Sequence, residues 1–293
     1  MIQTPPLVSV LVTVYNRGPY LAPCLDSILA STLPDFEVLV VDDMSKDNSV
    51  AVAEEYAQKD SRVRFFKNEK NLGDYSNRMR AAQLAQGKYL KYVDADDLIY
   101  PHGLEAMVRA MQACPDAALG LSWNQIDPPE PYPLVVSARD SIRNHFMAKS
   151  ALGCGPTGAI ILKDAFERVG GFSGRQFVGD SELWLKLAEL WPVVSLPPAL
   201  VWWRRHDGQQ MCLEQTRPEV LTHRYKLQME ALMETKHLCS TEKVIAAKRL
   251  KQHHARRILR LALLERRPRA AWQLFCDASM SITDLCRGFW PYS

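Results

Sequence analysis

The sequence predicts an α/β protein built on a doubly wound, mostly parallel sheet. Short apolar, β-branched runs alternate with helical stretches four times in roughly the first hundred residues, a pattern typical of parallel strands joined by crossover helices. These runs are apolar on both faces, as strands in the interior of such a sheet must be. A chain of 293 residues that is 47% hydrophobic and 24% charged can also bury a large core.

The first half of the chain has clear boundaries between its predicted elements. Four strands are expected, at 7–15, 36–43, 63–68 and 89–97. Each is followed by a predicted helix, and these helices lie at 19–32, 49–59, 75–86 and 102–113. The middle of the chain is less regular, and from Arg217 onward the apolar spacing is helical. A C-terminal α-helical extension is therefore expected after the sheet.

Charge and cysteine content exclude several classes of protein. The formal net charge is only +3, although nine Lys or Arg stand against one Glu between 248 and 269. The chain as a whole is therefore not expected to bind nucleic acid. Seven cysteines without a CxxC pair rule out a complete disulfide framework and predict a cytoplasmic protein without structural zinc. No apolar run approaches the roughly 20 residues that cross a bilayer.

Polar residues follow all four predicted strands. They are Thr13–Asn16, Asp42–Asp43, Asn68–Gly73 and Asp94–Asp97. The carboxyl ends of parallel strands meet at one edge of the sheet, and open α/β sheets bind their ligands there. We therefore expect these residues to share one crevice.

The most crowded strand end is YLKYVDADDLIYP at 89–101, with three carboxylates within four positions. Such carboxylates repel one another unless a cation or strong donors neutralise them. The chain has no GxGxxG after its first strand and no GxxxxGK[ST] loop, which excludes a Rossmann site and a P-loop. We expect Mg²⁺ or Mn²⁺ at the aspartates, shared with the diphosphate of a ligand. The alternative is that DADD only caps the helix near Pro101.

Six ordered motifs between Val8 and Gln210 carry a family resemblance. They are VSVLVTVYNRGPYLAPCLDSIL, FEVLVVDDMSKDNS, NLGDYSNRMRAAQLAQGKYL, YVDADDLIYP, GGF and GDSELWLKL. Together they resemble the large inverting family of GT-A glycosyltransferases, often called family two. The resemblance implies a GT-A catalytic domain at 1–212, with a nucleotide-binding half at 1–105 and an acceptor half at 106–212. It leaves 213–293 as the helical extension.

The resemblance implies that the donor is a nucleotide-diphospho-sugar. Asp94-Ala95-Asp96 looks like the family's DxD motif, in which Asp96 would bind the metal and Asp94 would support the sugar-nucleotide. Asp97 is expected to cap the following turn. The cation would neutralise the crowded carboxylates and let the nucleotide leave as an anion.

The other strand ends would hold the nucleoside. By the same resemblance Thr13, Tyr15 and Asn16 border the base. Asp42 and Asp43 would accept hydrogen bonds from the base or the ribose, unless the pair only caps a helix.

Cationic residues are expected at the nucleotide and its diphosphate. Arg78 matches a family arginine that lies against the nucleotide, although the Asn that usually follows it is Met79 here. In the stretch that begins at Arg204, Arg205 is expected at the diphosphate and His206 at the metal. The alternative for this stretch is a solvated basic loop.

Inverting transfer needs one base that removes the proton of the attacking hydroxyl. Asp180 matches the family's base motif, but the residue before it, commonly acidic, is Gly179. Glu182 is the alternative base, and a simple helix cap is the alternative role of Asp180.

The sequence thus predicts a metal-dependent, inverting glycosyltransferase that uses a UDP-sugar and a glycan or lipid-linked acceptor. The basic segment 248–269 could lie on anionic lipid as a peripheral membrane contact, or pack on the catalytic domain as a helix. Three alternatives remain: a non-catalytic relic that binds sugar-nucleotide, a sugar-1-phosphate nucleotidyltransferase, and a membrane or nucleic-acid adaptor that works through the tail.

Overall fold

The structure of the chain, a computed structural model, describes residues 4–122, 131–206, 217–286 and 288. The chain divides into two compact units. The first unit takes in 1–141, 150–175 and 179–204, and the second takes in 142–149, 176–178 and 205–293. The division predicted between 212 and 213 lies outside the described residues and stays a prediction.

The strands lie in the first unit. They are β1 Val8–Val14, β2 Phe36–Asp42, β3 Val63–Lys67, β4 Tyr89–Asp94, β5 Leu98–Ile99, β6 Leu119–Ser122, β7 Leu134–Val136, β8 Ala159–Leu162, β9 Val193–Leu196 and β10 Val201–Trp202. The helices are α1 Gly18–Leu29, α2 Ser49–Lys59, α3 Asp74–Leu84, α4 Gly103–Ala113, α5 Ala138–Met147, α6 Lys163–Arg168, α7 Gly179–Leu190, α8 Pro218–Glu234, α9 Ser240–Leu263, α10 Pro268–Asp277 and α11 Ile282–Cys286.

Eight strands form the main sheet, in the order β3-β2-β1-β4-β8-β6-β9-β7. The first four are parallel to one another, and β8 joins β4 and β6 in antiparallel pairs. Register brings the predicted ligand-binding edge together, because Thr13 pairs with both Val41 and Asp94, and Val14 pairs with Asp42. The mostly parallel α/β sheet predicted from the sequence is confirmed.

The core of the first unit explains why these segments form strands and helices. Val10 and Val12 of β1 are fully buried against a stripe of leucine and isoleucine side chains on α1. Leu21, Leu25 and Ile28 on that stripe are also fully buried. Each such side chain contributes about 1.5–3 kcal/mol when it is removed from water, so the stripe holds α1 on the sheet.

The fourth strand is shorter than predicted. The sequence suggested 89–97, but β4 ends at Asp94. The N–H of Asp97 donates to the carbonyl of Asp94 over 2.8 Å and closes a turn. Asp96 and Asp97 therefore lie on a turn beyond the sheet. Their side chains do not have to point to opposite faces, as neighbouring side chains on a strand do.

The second unit is helical, as predicted. Ile258 and Leu261 of α9 pack with Ala271 and Leu274 of α10 in a small buried cluster. Leu264, just beyond the end of α9, is 77% exposed. None of the helices in the described ranges has the length and apolar character needed to span a membrane.

Candidate active site

Residues 94–97, which follow β4, are called the acidic turn. Two arginines from different elements bind two of its carboxylates. Arg78 of α3 forms an ion pair with Asp94, with 2.8 Å between Nη2 and Oδ1. Arg17, just before α1, donates from Nε to Oδ2 of Asp96 over 3.0 Å. Charge repulsion within the turn is thus reduced by cations that the protein itself supplies.

The third carboxylate, that of Asp97, is buried and bridges two segments. Its Oδ2 accepts a hydrogen bond from the Thr157 hydroxyl over 2.8 Å, and its Oδ1 accepts one from the Arg204 N–H over 3.0 Å. Burial, reinforced by the charges of Asp94 and Asp96, raises the pKa of Asp97 to about 7. Asp97 therefore links the turn to the segment before β8 and to the segment that follows β10. The sequence had suggested a cap of the following turn, but the carboxylate is used in these two bonds instead.

Thr157 connects this bridge to the core of the sheet. Its hydroxyl also accepts the N–H of Asp94 over 3.0 Å, so one oxygen serves two residues of the turn. The fully buried Lys91 donates to the carbonyl of Thr157 and to that of Tyr92. Burial lowers the pKa of Lys91 to about 8. A buried polar network of Lys91 and Thr157 therefore holds the acidic turn in place.

Arg204, the first residue of the basic stretch, contacts this turn. Besides its backbone bond to Asp97, its Nε donates to the carbonyl of Asp96 over 2.8 Å. Its guanidinium also lies 5.0 Å from the ring centre of Trp202. The predicted residues Arg205 and His206 belong to the second unit, and their roles at the diphosphate and the metal stay predictions.

Asp42 and Asp43 have different surroundings although they are neighbours in the chain. Asp43 accepts three donors, the Asn68 side-chain amide over 2.7 Å and the N–H groups of Leu72 and Gly73 over 2.8 and 2.9 Å. Asp43 therefore organises the loop after β3.

Asp42 uses only part of its hydrogen-bonding capacity. Its side chain is buried, and Oδ2 accepts the Ser45 N–H over 3.0 Å. Within the described part of the chain, Oδ1 is buried without a hydrogen-bond donor. A buried oxygen in that condition is suited to a donor group from a ligand.

The end of β1 presents the other predicted nucleoside residues. Thr13 lies in register beside Asp94, and Tyr15 is 46% exposed. Asn16 has a left-handed backbone with φ of 53°, which asparagine tolerates better than most residues. Its side-chain oxygen accepts the Lys46 N–H over 2.8 Å, so it joins this loop to the loop after β2.

Asp180 lies in the first turn of α7, partly buried beside α3. The hydroxyl of Tyr75 donates to its Oδ1 over 3.2 Å. Burial raises the pKa of Asp180, while the Ser181 N–H, the charge of Arg78 and the Tyr75 bond partly offset that rise. A carboxylate with a raised pKa is a better proton acceptor than an ordinary aspartate.

The glycine that precedes Asp180 has a packing explanation. A Cβ at Gly179 would lie 2.5 Å from Cδ1 and 2.6 Å from Cγ of the Tyr75 ring. The Tyr75 ring therefore leaves no room for a side chain at this position, including the acidic one that the resemblance implies.

Helix α3 connects the acidic turn to Asp180. Arg78 binds both Asp74 and Asp94 at 2.8 Å, and its charge also acts on Asp180. Tyr75 lies three residues before Arg78, on the same side of the helix. Sequence reasoning missed Tyr75, Arg17 and Thr157, and of these only Tyr75 carried a signal, its helical spacing from Arg78.

The acidic turn offers a donor set that fits a hard divalent cation. In the described ranges, no group of three or more His, Cys, Asp or Glu could hold a metal by itself. Asp94 and Asp96 supply carboxylate oxygens, and Mg²⁺ or Mn²⁺ is commonly held by one or two carboxylates plus phosphate oxygens and water. The residues therefore fit a cation that arrives with a diphosphate.

Comparison with known proteins identifies the family. The family described as Glycosyl transferase family 2 matches residues 9–170, more than half of the chain. The chain belongs to glycosyl transferase family 2. The matched range contains the acidic turn and Arg78 but ends before Asp180.

One relative of this family 2 chain is an uncharacterised glycosyltransferase of Methanocaldococcus jannaschii, 39% identical over 120 residues. That match covers 40% of the chain and 41% of the relative. The chain thus spans less than half of the length of that relative.

Two solved structures share the fold of the family 2 chain. S. aureus TarS 1–349 in complex with UDP-GlcNAc has a TM-score of 0.69 at 19% identity, with 92% of this chain and 81% of TarS covered. The mannosyltransferase PcManGT from Pyrobaculum calidifontis, in complex with GDP-Man and Mn²⁺, has a TM-score of 0.64 at 20% identity, with 96% and 78% covered. The first unit is thus a GT-A fold.

Proposed function

We propose that the protein is a glycosyltransferase that takes its sugar from a nucleotide-diphospho-sugar. The observation that carries the proposal is that Arg78 pairs with Asp94 on the acidic turn while its charge also acts on Asp180. One arginine thus relates a candidate metal-binding turn to a candidate base. Membership of family 2, together with the fold of TarS and PcManGT, supports the same chemistry.

The nucleoside would bind across the ends of β1 and β2. The buried Oδ1 of Asp42 would accept a donor from the base or ribose, and the exposed Tyr15 beside Thr13 and Asn16 would border the base. We favour a UDP-sugar, because uracil N3–H and the ribose hydroxyls are donors that a carboxylate can accept. The binding of UDP-GlcNAc by TarS agrees with this assignment.

Asp96 would hold a divalent cation, Mn²⁺ or Mg²⁺. The sequence alone predicts His206 as a further metal ligand and Arg205 as a residue at the diphosphate. The cation would supply charge neutralisation for the departing nucleoside diphosphate. PcManGT, which has the same fold, was solved with Mn²⁺ and GDP-Man. Asp94, held by Arg78, would orient the sugar-nucleotide.

Asp180 would act as the base. It would take the proton of an acceptor hydroxyl while that oxygen forms its bond to the anomeric carbon and the bond to the diphosphate oxygen breaks. A single displacement from the opposite face inverts the configuration at that carbon. The raised pKa of Asp180 supports this role.

The acceptor would be a glycan or a lipid-linked glycan. The segment 248–269 ends in three exposed arginines, and Leu263, Leu264 and Trp272 beside them are 64%, 77% and 67% exposed. Exposed leucine, tryptophan and arginine suit the surface of an anionic bilayer. We propose a cytoplasmic protein with a peripheral membrane contact there, and co-sedimentation with phosphatidylglycerol vesicles, lost in Trp272→Ala, tests that contact.

A thermal-shift screen of UDP-GlcNAc and GDP-mannose, with and without Mn²⁺, tests donor binding. We expect a stabilising shift that requires Mn²⁺ and disappears in Asp96→Ala. Asp180→Asn should keep the shift but lower turnover of the donor, measured as nucleoside diphosphate release, by about 10²–10⁴-fold.

The control substitution is Asp60→Asn, which removes a carboxylate that pairs with Arg62 at the end of α2. It should alter neither binding nor turnover. Wild-type turnover in both Asp96→Ala and Asp180→Asn would contradict the proposal. Donor binding without any nucleoside diphosphate release would instead favour a non-catalytic relic.

A further inference from the structure

Arg17 is held on the carboxylate to which the proposed function assigns the metal. Its Nε donates to Oδ2 of Asp96 over 3.0 Å, and its Nη1 donates to the carbonyl of Asn16 over 3.1 Å. Its own N–H donates to the Ser49 hydroxyl over 3.0 Å. Both its backbone and its guanidinium are therefore fixed at the start of α1.

The ion pair between Arg17 and Asp96 is largely shielded from solvent. The side chain of Arg17 is 28% exposed and that of Asp96 only 10%, so water and salt screen this pair less than an ion pair on the open surface. The neighbouring carboxylates have other partners, since Asp94 pairs with Arg78 and Asp97 accepts from Thr157 and Arg204. Within the turn, Arg17 thus pairs with Asp96 and not with Asp94 or Asp97.

We propose that Arg17 is an internal counter-ion that competes with the divalent cation for Asp96. The inference rests on the proposed function, in which Asp96 binds the metal. A guanidinium and a divalent cation repel each other when both contact one carboxylate. Arg17 must therefore withdraw before the cation binds, and the strength of its bond to Asp96 sets the affinity for the metal.

The withdrawn guanidinium also has a suitable new partner. The planar fork of arginine binds phosphate oxygens with two parallel hydrogen bonds. Arg17 follows Asn16, a residue that the proposed function places at the nucleoside. Exchange of its partner from Asp96 to the diphosphate would leave no charge in the site unpaired and would couple metal binding to donor binding.

The test measures Mn²⁺ binding to the full chain without nucleotide, from the EPR signal of free Mn²⁺. We expect Arg17→Gln to bind Mn²⁺ about two- to fivefold more tightly than wild type, because loss of the competing ion pair is worth about that factor. The same variant should bind UDP more weakly when no metal is present. An effect of opposite sign on the two ligands is not what a purely structural role of Arg17 predicts.

Two controls isolate the site. Arg62→Gln removes an arginine that pairs with Asp60 over 2.7 Å in the same unit, so it changes net charge equally and should leave Mn²⁺ affinity unchanged. Asp96→Asn should abolish Mn²⁺ binding, and adding Arg17→Gln to Asp96→Asn should restore none of it.

Each outcome decides the inference. Unchanged or weaker Mn²⁺ binding in an Arg17→Gln protein that melts like wild type overturns it, while Mn²⁺ binding that depends on Asp96 leaves the proposed function standing. Failure of both wild type and Arg17→Gln to bind Mn²⁺ at millimolar concentration overturns the inference, while the Mn²⁺-dependent thermal shift with UDP-GlcNAc decides the proposed function separately. If the Gln variant does not fold, Arg17→Lys decides, because its single ammonium should yield to Mn²⁺ more easily and tighten binding by a smaller factor.

Discussion

The carboxylates of the acidic turn and the carboxylate of Asp180 have different kinds of partner. On the turn Asp94–Asp97, arginines and a threonine hydroxyl bind the carboxylates, and a buried lysine supports the threonine. Asp180 accepts hydrogen bonds from the Tyr75 hydroxyl and the Ser181 N–H, and the charge of Arg78 also acts on it. The ion pairs of Asp94 and Asp96 stabilise negative charge on the turn, whereas burial raises the pKa of Asp180. Asp97, which has no ion pair among the described residues, resembles Asp180 in this respect.

This difference matches the chemistry that each region would perform. A turn that binds a cation needs carboxylates that stay ionised and keep a fixed position. A base needs a carboxylate whose proton affinity is not lowered by a direct ion pair. The predictions below change one region at a time.

The largest effect is expected from Thr157→Val, which removes the hydroxyl that serves Asp94 and Asp97. Two buried groups lose a partner, so the free energy of unfolding should fall by about 2–4 kcal/mol. Urea denaturation of the variant gives this value. Ser122→Ala is the matched control, since its hydroxyl makes one bond of 2.7 Å to Pro197 and its loss should cost about 1 kcal/mol. An equal loss in both variants would show that Thr157 does not act as a bridge.

A smaller effect, about tenfold on turnover, is expected from Tyr75→Phe, which removes the hydrogen bond to Asp180. That bond lowers the pKa of Asp180, so its loss raises this pKa and moves the acid limb of the pH–rate profile to higher pH. Rates of nucleoside diphosphate release between pH 5 and 8 measure both changes. Tyr56→Phe is the control, because it removes a similar bond of 2.6 Å to Asp26. A drop in rate with an unmoved acid limb would contradict the positioning role of Tyr75.

The smallest effect concerns pH and stability. The folded protein raises the pKa of Asp97 to about 7 from an ordinary 3.8, so the folded state binds more protons between these values. The free energy of unfolding should therefore fall as pH rises from 5 to 7. Asp97→Asn should flatten this fall by about 1 kcal/mol, measured by urea denaturation at each pH.

Asp60→Asn is the control for that measurement. The pKa of Asp60 is lowered, first by its hydrogen bond to Arg62, so Asp60 contributes stability above its unfolded pKa and loses it only in more acidic solution. Its removal should leave the slope between pH 5 and 7 unchanged. A slope that is equally steep in Asp97→Asn would show that another group carries it.

Most of the sheet could be predicted from the sequence because its information is local. Buried strands, their turns and the apolar stripe of α1 are each encoded within about ten neighbouring residues. The predicted end of β4 was wrong because the strand ends in a turn closed by a backbone hydrogen bond between Asp97 and Asp94. No side-chain pattern in the sequence indicates that bond.

The contacts of the site could not be predicted in the same way. Arg17 and Asp96 are separated by 79 residues, and Tyr75 and Asp180 by 105. No pattern in one sequence records such pairs. Gly179 illustrates the limit, because the sequence shows only that an acidic residue is missing, whereas the structure shows the Tyr75 ring in its place.

In the proposed nucleoside site, the buried Oδ1 of Asp42 would lower the stability of the empty protein and favour a ligand that donates a hydrogen bond. An acceptor removed from water without a partner destabilises the fold by about 1–3 kcal/mol, and the sheet around it carries that penalty while the crevice is empty. A ligand that donates one hydrogen there relieves the penalty at once. Under the proposed function, a substitution that removes this oxygen would stabilise the empty protein and weaken donor binding.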